Sequence, residues 1–463
     1  MNNLDVCIVF LWILLTSALG IVAGLRTSIE GFWANKRGTH LWFLVFTIVA
    51  TQVGGGTIIG ICSSTYESGI GFGLVAVIST VTGFLAVALL APWAKRFGDK
   101  HHAYTLPEVL LRRYGRSVQI ACATLVLFAY LSLLAGQFLS ISVLLGVWTG
   151  WGAKATLFVS AVLVIGYSAF AGLRGDIVTD IAHFWAMAIS LFAVILPFVA
   201  VRLPIVNALE RLDPRILSPV TFGGYTYLIV GVLLGALIPV VSMEMWMRVY
   251  AASDQKTARR CFIWSSIVVV PFYLLPLLLG LIATTGPMAQ IKPDSLLVEM
   301  LFRYLPHGFL GIAVASLFAV VVSSANTMII VLGAVLYRDI LARSGEDAPR
   351  EIRLSRLLTL GGGVAGFAFA LVVPSIVQQI LNAYFVIGMI APVLLGITLW
   401  RRATKAGAIS ALAVGGLLTV ALLPIMPRTA FLPGLVISII LFFVVSLLTK
   451  HSAEENLNMG NNA

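Results

Sequence analysis

Long apolar runs alternate with short polar stretches from one end of this chain to the other. We count thirteen runs that are long enough to cross a bilayer as helices. Their approximate limits are 6–25, 41–64, 70–94, 118–148, 154–172, 176–201, 223–247, 261–285, 308–337, 355–373, 376–400, 404–425 and 430–448. The pattern therefore predicts an all-α integral membrane protein with about thirteen transmembrane helices.

Two of these runs contain interruptions at matching places. The run at 41–64 reads Thr51-Gln52-Val53-Gly54-Gly55-Gly56-Thr57 in its middle, and each glycine weakens a helix by about 1 kcal/mol relative to alanine. The run at 223–247 carries Gly235 and then Pro239, and proline removes a helix hydrogen bond. Interrupted helices at corresponding positions of two halves indicate an inverted-repeat transporter. Close helix packing through small residues is the alternative.

The interruptions divide the chain into two halves of five helices each. We predict an N-terminal extra helix and loop at 1–40, a first repeat at 41–201 and a second repeat at 202–400. Two C-terminal helices at 401–450 and a polar tail at 451–463 complete the chain. The unwound middle of the first interrupted helix would offer carbonyls to a cation and amides to a solute.

Composition agrees with a membrane protein and excludes a soluble domain of ordinary composition. Of 463 residues, 60% are hydrophobic and 11% are charged, and the mean hydropathy is +1.02. The four cysteines are scattered without paired spacing, so neither a disulfide framework nor a metal site is indicated. The chain lacks a nucleotide-binding P-loop, a zinc-protease motif and a nucleophile elbow, which argues against an ATP-driven pump and against conventional enzymes.

The formal net charge of +11 lies in loops between apolar runs, so we interpret it as a topology signal and expect no nucleic-acid partner. With the N-terminus outside, 23 of the 30 lysines and arginines face the cytoplasm and 7 face outward. The first run is preceded by Asp5 rather than by basic residues, which predicts a retained helix rather than a signal peptide. We therefore predict a multi-pass protein of the cytoplasmic membrane, with its C-terminus inside.

The most polar stripe on an apolar run lies within 308–337. Its members are Ser316, Ser323, Ser324, Asn326 and Thr327. On a helix, Ser316, Ser323 and Thr327 fall within about 40° of one another. Their oxygens suit a small cation, and polar clusters inside membranes mark ion or substrate paths. Bonds back to the same helix or to a neighbouring helix are the alternative.

Acidic residues near the ends of runs have simpler interpretations. Asp176 and Asp180, each taken alone, are expected to favour the dipole at a helix N-terminus. Glu244 is followed by Arg248, and we expect these two side chains to pair. Uncharged polar groups near the runs could contact a solute or bridge helices, and they are Gln52, Thr57, Gln137, Ser242, Gln378, Gln379 and Asn382.

Five motifs in order resemble the sodium:solute symporter family. They are 55–60 (GGTIIG) with Tyr66 and Gly69; Thr105-Leu106-Pro107-Glu108-Val109 with Arg113-Tyr114-Gly115; Gly172-Leu173-Arg174 with Thr179-Asp180; 246–252 (WMRVYAA) with 256–258 (KTA); and Leu305-Pro306 and Gly308 with Ser323, Ser324 and Asp339. One departure is Met247-Arg248 in place of the family's Gln-Arg. The resemblance implies a LeuT-like fold of five plus five inverted-repeat helices, with one helix before and two after, and sodium-coupled import by alternating access.

The resemblance also implies ion ligands, residue by residue. A shared sodium site would use the backbone carbonyls of Ala50, Val53 and Val320 and the hydroxyls of Ser323 and Ser324. Some family members hold a second sodium, whose ligands here would be Asp180, Ser323, Asn326 and Thr327. Asn326 replaces a usual hydroxyl at that second site.

Together these observations predict a secondary transporter that couples Na+ to a small organic solute. Free amides at Gly54 to Gly56, near a half-helix N-terminus, favour a solute that carries a carboxylate. The predicted solute contacts are Gln52, Gly54, Gly55, Gly56, Thr57, Gln137 and Ser242. Proton coupling on the same fold, or a sensor or enzyme that has lost transport, are the alternatives. Beyond the solute and the lipid bilayer, no obligatory protein partner is expected.

Overall fold

A computed structural model describes residues 2–25, 29–202, 210–285, 288, 290–341, 348–373, 375–400 and 402–449. The predicted polar tail at 451–463 lies outside these residues. The described chain is helical, with one isolated β-bridge between Thr39 and Ala252.

The helices of the first half begin with an extra helix and end near residue 202. They are α1 (Asn3–Leu25), α2 (Ile29–Ala34), α3 (Leu41–Gln52), α4 (Gly55–Ser68), α5 (Gly71–His101), α6 (Leu106–Tyr114), α7 (Arg116–Thr149), α8 (Ala153–Ala188) and α9 (Leu196–Arg202). A π-helical segment, Ile189–Ile195, joins α8 to α9.

The second half of the chain contains the helices α10 to α20. They are α10 (Gly224–Val241), α11 (Met243–Ala251), α12 (Gln255–Val268), α13 (Val270–Ala283), α14 (Leu296–Tyr304), α15 (Phe309–Ala334), α16 (Ala348–Val372), α17 (Ile376–Ile387), α18 (Ala391–Leu399), α19 (Lys405–Leu422) and α20 (Phe431–Leu448). Short 3-10 turns occur at Asn35–Arg37, Pro214–Leu217, Pro293–Ser295 and Gly388–Ile390, and the π-helical segment Val335–Leu341 extends α15.

The predicted all-helical membrane fold is confirmed. Eleven helical segments in the described chain are long and apolar enough to cross a membrane, and α3 with α4, bent by 47°, makes a twelfth as a broken span. The predicted run at 154–172 corresponds to the first part of α8, whose apolar stretch Ala153–Gly166 is shorter than the others. The chain turns at Gly172, where φ is 58°, before the next span begins.

The first interruption lies where it was predicted, but the second does not. In the first, α3 ends at Gln52 and α4 begins at Gly55. In the second, α10 continues through Pro239 to Val241, and the break comes at Ser242, where ψ is 123°. The proline ring packs so closely on Gly83 that a Cβ there would lie 2.4 Å from the Pro239 Cγ. A neighbouring helix thus accommodates the proline without a break.

The extra helix α1 is fixed to the start of α15. The Asp5 carboxylate is buried, and its Oδ1 accepts hydrogen bonds from the backbone N–H of Gly308 at 2.7 Å and of Gly311 at 3.0 Å. A Cβ at Gly311 would lie 2.7 Å from the Asp5 Cα, so glycine permits this approach. A carboxylate at this end of α15 also complements the helix dipole.

Polar contacts between loops join loops that were predicted on the same side. On the predicted cytoplasmic side, Arg338 pairs with Glu108 at 2.9 Å. On the predicted outer side, the N–H of Ile70 donates to the carbonyl of Ile216 at 2.9 Å. The relative arrangement of the spans therefore agrees with the charge pattern, while the orientation in the membrane stays a prediction.

Candidate functional site

The break between α3 and α4 leaves backbone groups unpaired inside the protein. Val53 has φ −87° and ψ 76°, so the α-helical ladder stops there. Helix α4 restarts when the N–H groups of Thr57 and Ile58 donate to the carbonyl of Gly54 at 3.0 Å. No described residue donates a hydrogen bond to the carbonyls of Ala50 and Val53. These buried acceptors are the kind of group that a bound cation can satisfy.

Ser324 joins α15 to this break. Its Oγ donates to the Thr51 carbonyl at 2.8 Å and also lies 3.3 Å from the carbonyl of Val320 in its own helix. Gly54 lies so close that a Cβ there would be 2.7 Å from the Ser324 Oγ. The predicted approach of the serine pair to the unwound stretch is therefore present for Ser324. The neighbouring Ser323 hydroxyl instead donates to Asp180 Oδ1.

A second polar cluster, which we call the arginine centre, surrounds the guanidinium of Arg248. Five side-chain oxygens lie between 2.7 and 3.2 Å from its Nη2. They belong to Asp176 (Oδ2, 2.7 Å), Thr51 (2.9 Å), Thr327 (3.0 Å), Thr47 (3.2 Å) and Asp180 (Oδ2, 3.2 Å). The side chains of Arg248, Asp176 and Asp180 are all 0% exposed. Four helices, α3, α8, α11 and α15, meet at this centre.

The arginine centre corrects three interpretations of the acidic residues. Asp176 lies in the first turn after the kink at Gly172 and Asp180 one turn further on, and both side chains are fully buried and contact Arg248, so a helix dipole alone does not describe their environment. Glu244 does not pair with Arg248, which binds the two aspartates, and the Glu244 carboxylate accepts a hydrogen bond from the Tyr130 hydroxyl. Arg248 itself, which lies just beyond the predicted run at 223–247, is fully buried, because its guanidinium contacts side chains of α3, α8 and α15.

The ligands that the resemblance implied for a second sodium are divided between two aspartates. Asn326 Nδ2 donates to Asp176 Oδ1, and the Thr327 hydroxyl donates to Asp176 Oδ2 at 2.6 Å. Asp180 instead accepts hydrogen bonds from Ser323 and from Thr47. The predicted set therefore lies in one place, but it includes an aspartate and an arginine that sequence reasoning did not assign to it.

One signal could have found the missed residues. Three pairs of polar residues are spaced by four on three apolar helices, and they are Thr47 with Thr51, Asp176 with Asp180, and Ser323 with Thr327. Residues four apart share one face of a helix. Each pair therefore marks a polar face that must meet other polar groups inside a membrane protein.

Beside the break lies a central cavity of about 130 Å³. Most of the predicted solute contacts line it, namely Gln52, Gly54, Gly56, Thr57 and Gln137. Gly55 lies behind this wall, where its N–H donates to Gln137 Oε1 at 3.0 Å and its Cα packs on Ser140. Ser242 does not line the cavity, and its hydroxyl donates to the carbonyl of Ile238 at 2.9 Å.

The cavity wall is mostly apolar and aromatic, with a few placed polar groups. Gln52 Nε2 and the Thr80 hydroxyl both donate to the Tyr273 hydroxyl, at 3.2 and 3.1 Å. Glu244 is the charged residue among the lining residues, and no basic side chain of the described chain lies within 4.0 Å of its carboxylate. Gln378, Gln379 and Asn382 are not among the lining residues. The described residues form no cluster of three or more His, Cys, Asp or Glu side chains.

Comparison with known proteins gives consistent results. A sequence model of the sodium:solute symporter family matches residues 32–415. The chain is 25% identical to the sodium/pantothenate symporter of Escherichia coli (strain K12), over 90% of each chain. It is 23% identical to the osmoregulated proline transporter OpuE of Bacillus subtilis (strain 168), over 94% of this chain and 92% of the relative.

Two solved structures share the fold. A sodium-coupled sialic acid symporter in a substrate-bound, outward-open state matches with a TM-score of 0.83 and 15% identity, over 98% of this chain and 99% of that chain. A nucleobase-cation-symport-1 family transporter in a closed conformation matches with a TM-score of 0.60 and 11% identity, over 94% and 99%. At these identities the likeness concerns the fold, and it confirms the predicted LeuT-like architecture.

Proposed function

Because this chain belongs to the sodium:solute symporter family, and is therefore a membrane transporter rather than an enzyme, we propose that it imports a small organic solute coupled to sodium. The observation that carries the proposal is the broken helix at Val53 and Gly54, against which Ser324 packs. Alternating access would expose this break to one side of the membrane and then to the other.

The sodium site is proposed at the break, with the carbonyls of Ala50, Val53 and Val320 and the hydroxyls of Ser323 and Ser324 as ligands. The unpaired carbonyls of Ala50 and Val53 support it, because a buried carbonyl without a partner costs free energy that a cation could offset. Hydroxyl and carbonyl oxygens are the ligands that hard cations prefer.

The solute site is proposed in the central cavity. Among the described residues, no acceptor pairs with the backbone N–H groups of Gly54 and Gly56, which lie at the N-terminus of α4 and line the cavity. The helix dipole there favours an anion, so we propose a solute with a carboxylate. The lone Glu244 carboxylate would repel a second anionic group, so the other end of the solute should carry a donor or a positive charge. An amino acid or a similar zwitterion meets both conditions.

Uptake into proteoliposomes under an imposed sodium gradient, an imposed proton gradient or neither separates the alternatives. Proline, pantothenate and a neutral sugar serve as labelled probes, the first two because relatives are named for them. Uptake of a carboxylate-bearing probe driven by sodium alone is expected. Uptake driven by protons alone would replace sodium coupling, and sodium-driven uptake of the sugar that carboxylates do not inhibit would remove the preference for an anion.

The orientation is also part of this proposal, with the N-terminus outside and the C-terminus in the cytoplasm. Cysteines placed at Asn3 and at Ser452, in a background where the exposed Cys7 is replaced by serine, would be labelled with an impermeant reagent on intact cells. Labelling at Asn3 but not at Ser452 is expected. Labelling at both positions would contradict an odd number of spans.

A further inference from the structure

The starts of α3 and α12 are joined at one surface of the protein. The backbone N–H of Thr39 donates to the carbonyl of Ala251 at 2.9 Å, and the N–H of Ser253 donates to the carbonyl of Thr39 at 3.2 Å. These two hydrogen bonds tie together the segments that precede the two helices. A groove of about 750 Å³ opens between the helix starts, and residues of both helices line it, among them Trp42 of α3 and Lys256 and Arg260 of α12.

One face of α12 changes its chemical character along its length. Lys256, Arg260 and Trp264 are spaced by four and Ile267 follows three residues later, so the four side chains share a face. All four are exposed, and they pass from two cations through an aromatic ring to an aliphatic side chain that is 58% exposed. A helix that enters a bilayer meets headgroups, then the interface, then acyl chains, and this face matches that order.

Helix α3 places a second indole ring beside Trp264. The ring centroids of Trp42 and Trp264 lie 5.6 Å apart, and the two side chains are 48% and 42% exposed. Tryptophan is enriched where a membrane meets water, because its ring is apolar and its N–H is polar. The aromatic pair therefore indicates that the groove opens at the level of the lipid headgroups.

The two cations of the groove have no ionic partner in the described part of the chain. Neither the Lys256 ammonium nor the Arg260 guanidinium lies within 4.0 Å of a carboxylate there. Asp254 also lines the groove, but its carboxylate accepts hydrogen bonds from the N–H groups of Lys256 and Thr257 and from the hydroxyls of Ser253 and Thr257. Because that carboxylate caps α12, the two cations stay available to an anion from outside.

We propose that this groove binds an anionic phospholipid, whose phosphate contacts Lys256 and Arg260 and whose acyl chain lies along Trp264 and Ile267. A soluble anion would use the cations alone, whereas the apolar continuation of the same face fits a molecule with a tail. In the proposed orientation the lipid belongs to the cytoplasmic leaflet, where cations near the surface attract anionic headgroups. A lipid bound to both helix starts would stabilise the folded protein.

Thermal melting of the purified full-length protein, in a neutral detergent and a sodium-free choline buffer, tests the headgroup. The additives are phosphatidylglycerol, phosphatidylcholine with the same acyl chains, and glycerol 3-phosphate. A saturable rise in melting temperature with phosphatidylglycerol alone is expected. An equal rise with phosphatidylcholine would overturn the recognition of charge, an equal rise with glycerol 3-phosphate would make the groove a site for soluble anions, and no rise with any additive would overturn binding.

Substitutions test whether the groove is the site. Lys256→Gln combined with Arg260→Gln should weaken the apparent affinity for phosphatidylglycerol by about tenfold or more, as the loss of two cations at a membrane surface implies. Lys100→Gln combined with Arg112→Gln is the matched control, because it removes two exposed cations from the same predicted side that do not line the groove.

The control variant should keep the affinity of the wild type. Unchanged affinity in the folded groove variant, or an equal loss in the control, would overturn the assignment to this groove. If the groove variant does not fold, the comparison of the three additives on the wild type still decides whether an anionic lipid binds. Neither sodium nor a transported solute is present in these assays, so their outcome is independent of the proposed coupling.

Discussion

The arginine centre and the central cavity adjoin, because Thr51 and Thr327 belong to both, and their polar groups are satisfied in different ways. In the arginine centre, charged and hydroxyl side chains contact one another, and the protein supplies both the anions and a cation. Along the cavity and the adjoining break, the polar groups are hydroxyls, two neutral amides, one carboxylate and backbone groups, and several of the backbone groups have no partner among the described residues. The difference indicates that the first region sets charge and geometry, while the second is built to receive something from outside.

Among substitutions that alter one of the two regions and not the other, Gly55→Ala is expected to have the largest effect on stability and uptake. The added Cβ would lie 2.2 Å from the Ser140 Oγ and 2.4 Å from the Ser140 Cβ. This overlap would push α4 away from α7 and displace the cavity wall while the arginine centre stays intact, at a cost of about 3 kcal/mol. A large drop in melting temperature and loss of uptake are expected.

Gly60→Ala is the matched control for that substitution. Gly60 lies on the same helix, and a Cβ there would lie no closer than 3.7 Å to any other residue. It should retain uptake. Adding Ser140→Gly to Gly55→Ala should restore part of the stability, and failure of this rescue would show that the close contact is not the cause.

Ser324→Ala tests the link between the break and α15. The change removes one proposed sodium ligand and leaves packing almost intact. A lost contact to a charged group is worth about 1.5–3 kcal/mol, so apparent sodium affinity should fall about tenfold to a hundredfold. Since sodium and solute binding are linked, solute affinity at low sodium should fall too and recover at high sodium. A variant that loses folded protein but keeps its sodium dependence would make Ser324 a packing residue only.

Glu244→Gln tests the polarity of the cavity. The amide has the same shape and its oxygen can still accept a hydrogen bond from the Tyr130 hydroxyl, but it carries no charge. Binding of zwitterionic competitors should weaken by about tenfold, whereas purely anionic competitors should bind as well or better. Competition of both classes against one labelled probe measures this, and equal effects on both would remove Glu244 from solute recognition.

The smallest effect on stability is expected from a substitution at Asp254, which is exposed, in contrast to the buried Asp176 and Asp180. Asp254 begins α12, and hydrogen bonds from the N–H and the hydroxyl of Thr257, with others from Ser253 and Lys256, lower its pKa to about 2. Because the folded pKa lies below the unfolded value, this contribution to stability is present above about pH 4 and is lost as the pH falls towards 2. Asp254→Ala should cost about 1 kcal/mol near neutral pH. Melting curves at several pH values should show that the difference in melting temperature between the wild type and Asp254→Ala becomes smaller in acid.

The spans could be predicted because the length and polarity of an apolar run are local properties of the sequence. The break at Gly54 was local too, since consecutive glycines weaken a helix wherever they occur. The predicted position of the second break was wrong, because the effect of Pro239 depends on Gly83 of another helix, which leaves space for the proline ring. The position of a proline alone does not reveal such a neighbour.

The arginine centre was harder to predict because it depends on which helix faces meet. Asp176 and Arg248 lie close in sequence to polar loops, so Asp176 was interpreted as an acid that favours a helix dipole and Arg248 as the partner of Glu244. The fold buries both, since α8 continues past the kink at Gly172 and α11 restarts inside the protein. The spacing of four marks each polar face, but only the packing of α3, α8, α11 and α15 shows that they share one arginine.

The contact of Asp5 with α15 bears on whether the chain could be shortened to its two repeats and still bind sodium. Both predicted repeats begin after residue 40, so a gene shortened to start there would keep every proposed ion ligand. It would also remove the carboxylate that holds the first turn of the serine-bearing helix. Such a shortened protein, or an Asp5→Ala variant, should melt at a lower temperature and respond less to added sodium in a thermal-shift assay. That result would show that α1, although it precedes both repeats, supports the helix that carries the proposed sodium ligands.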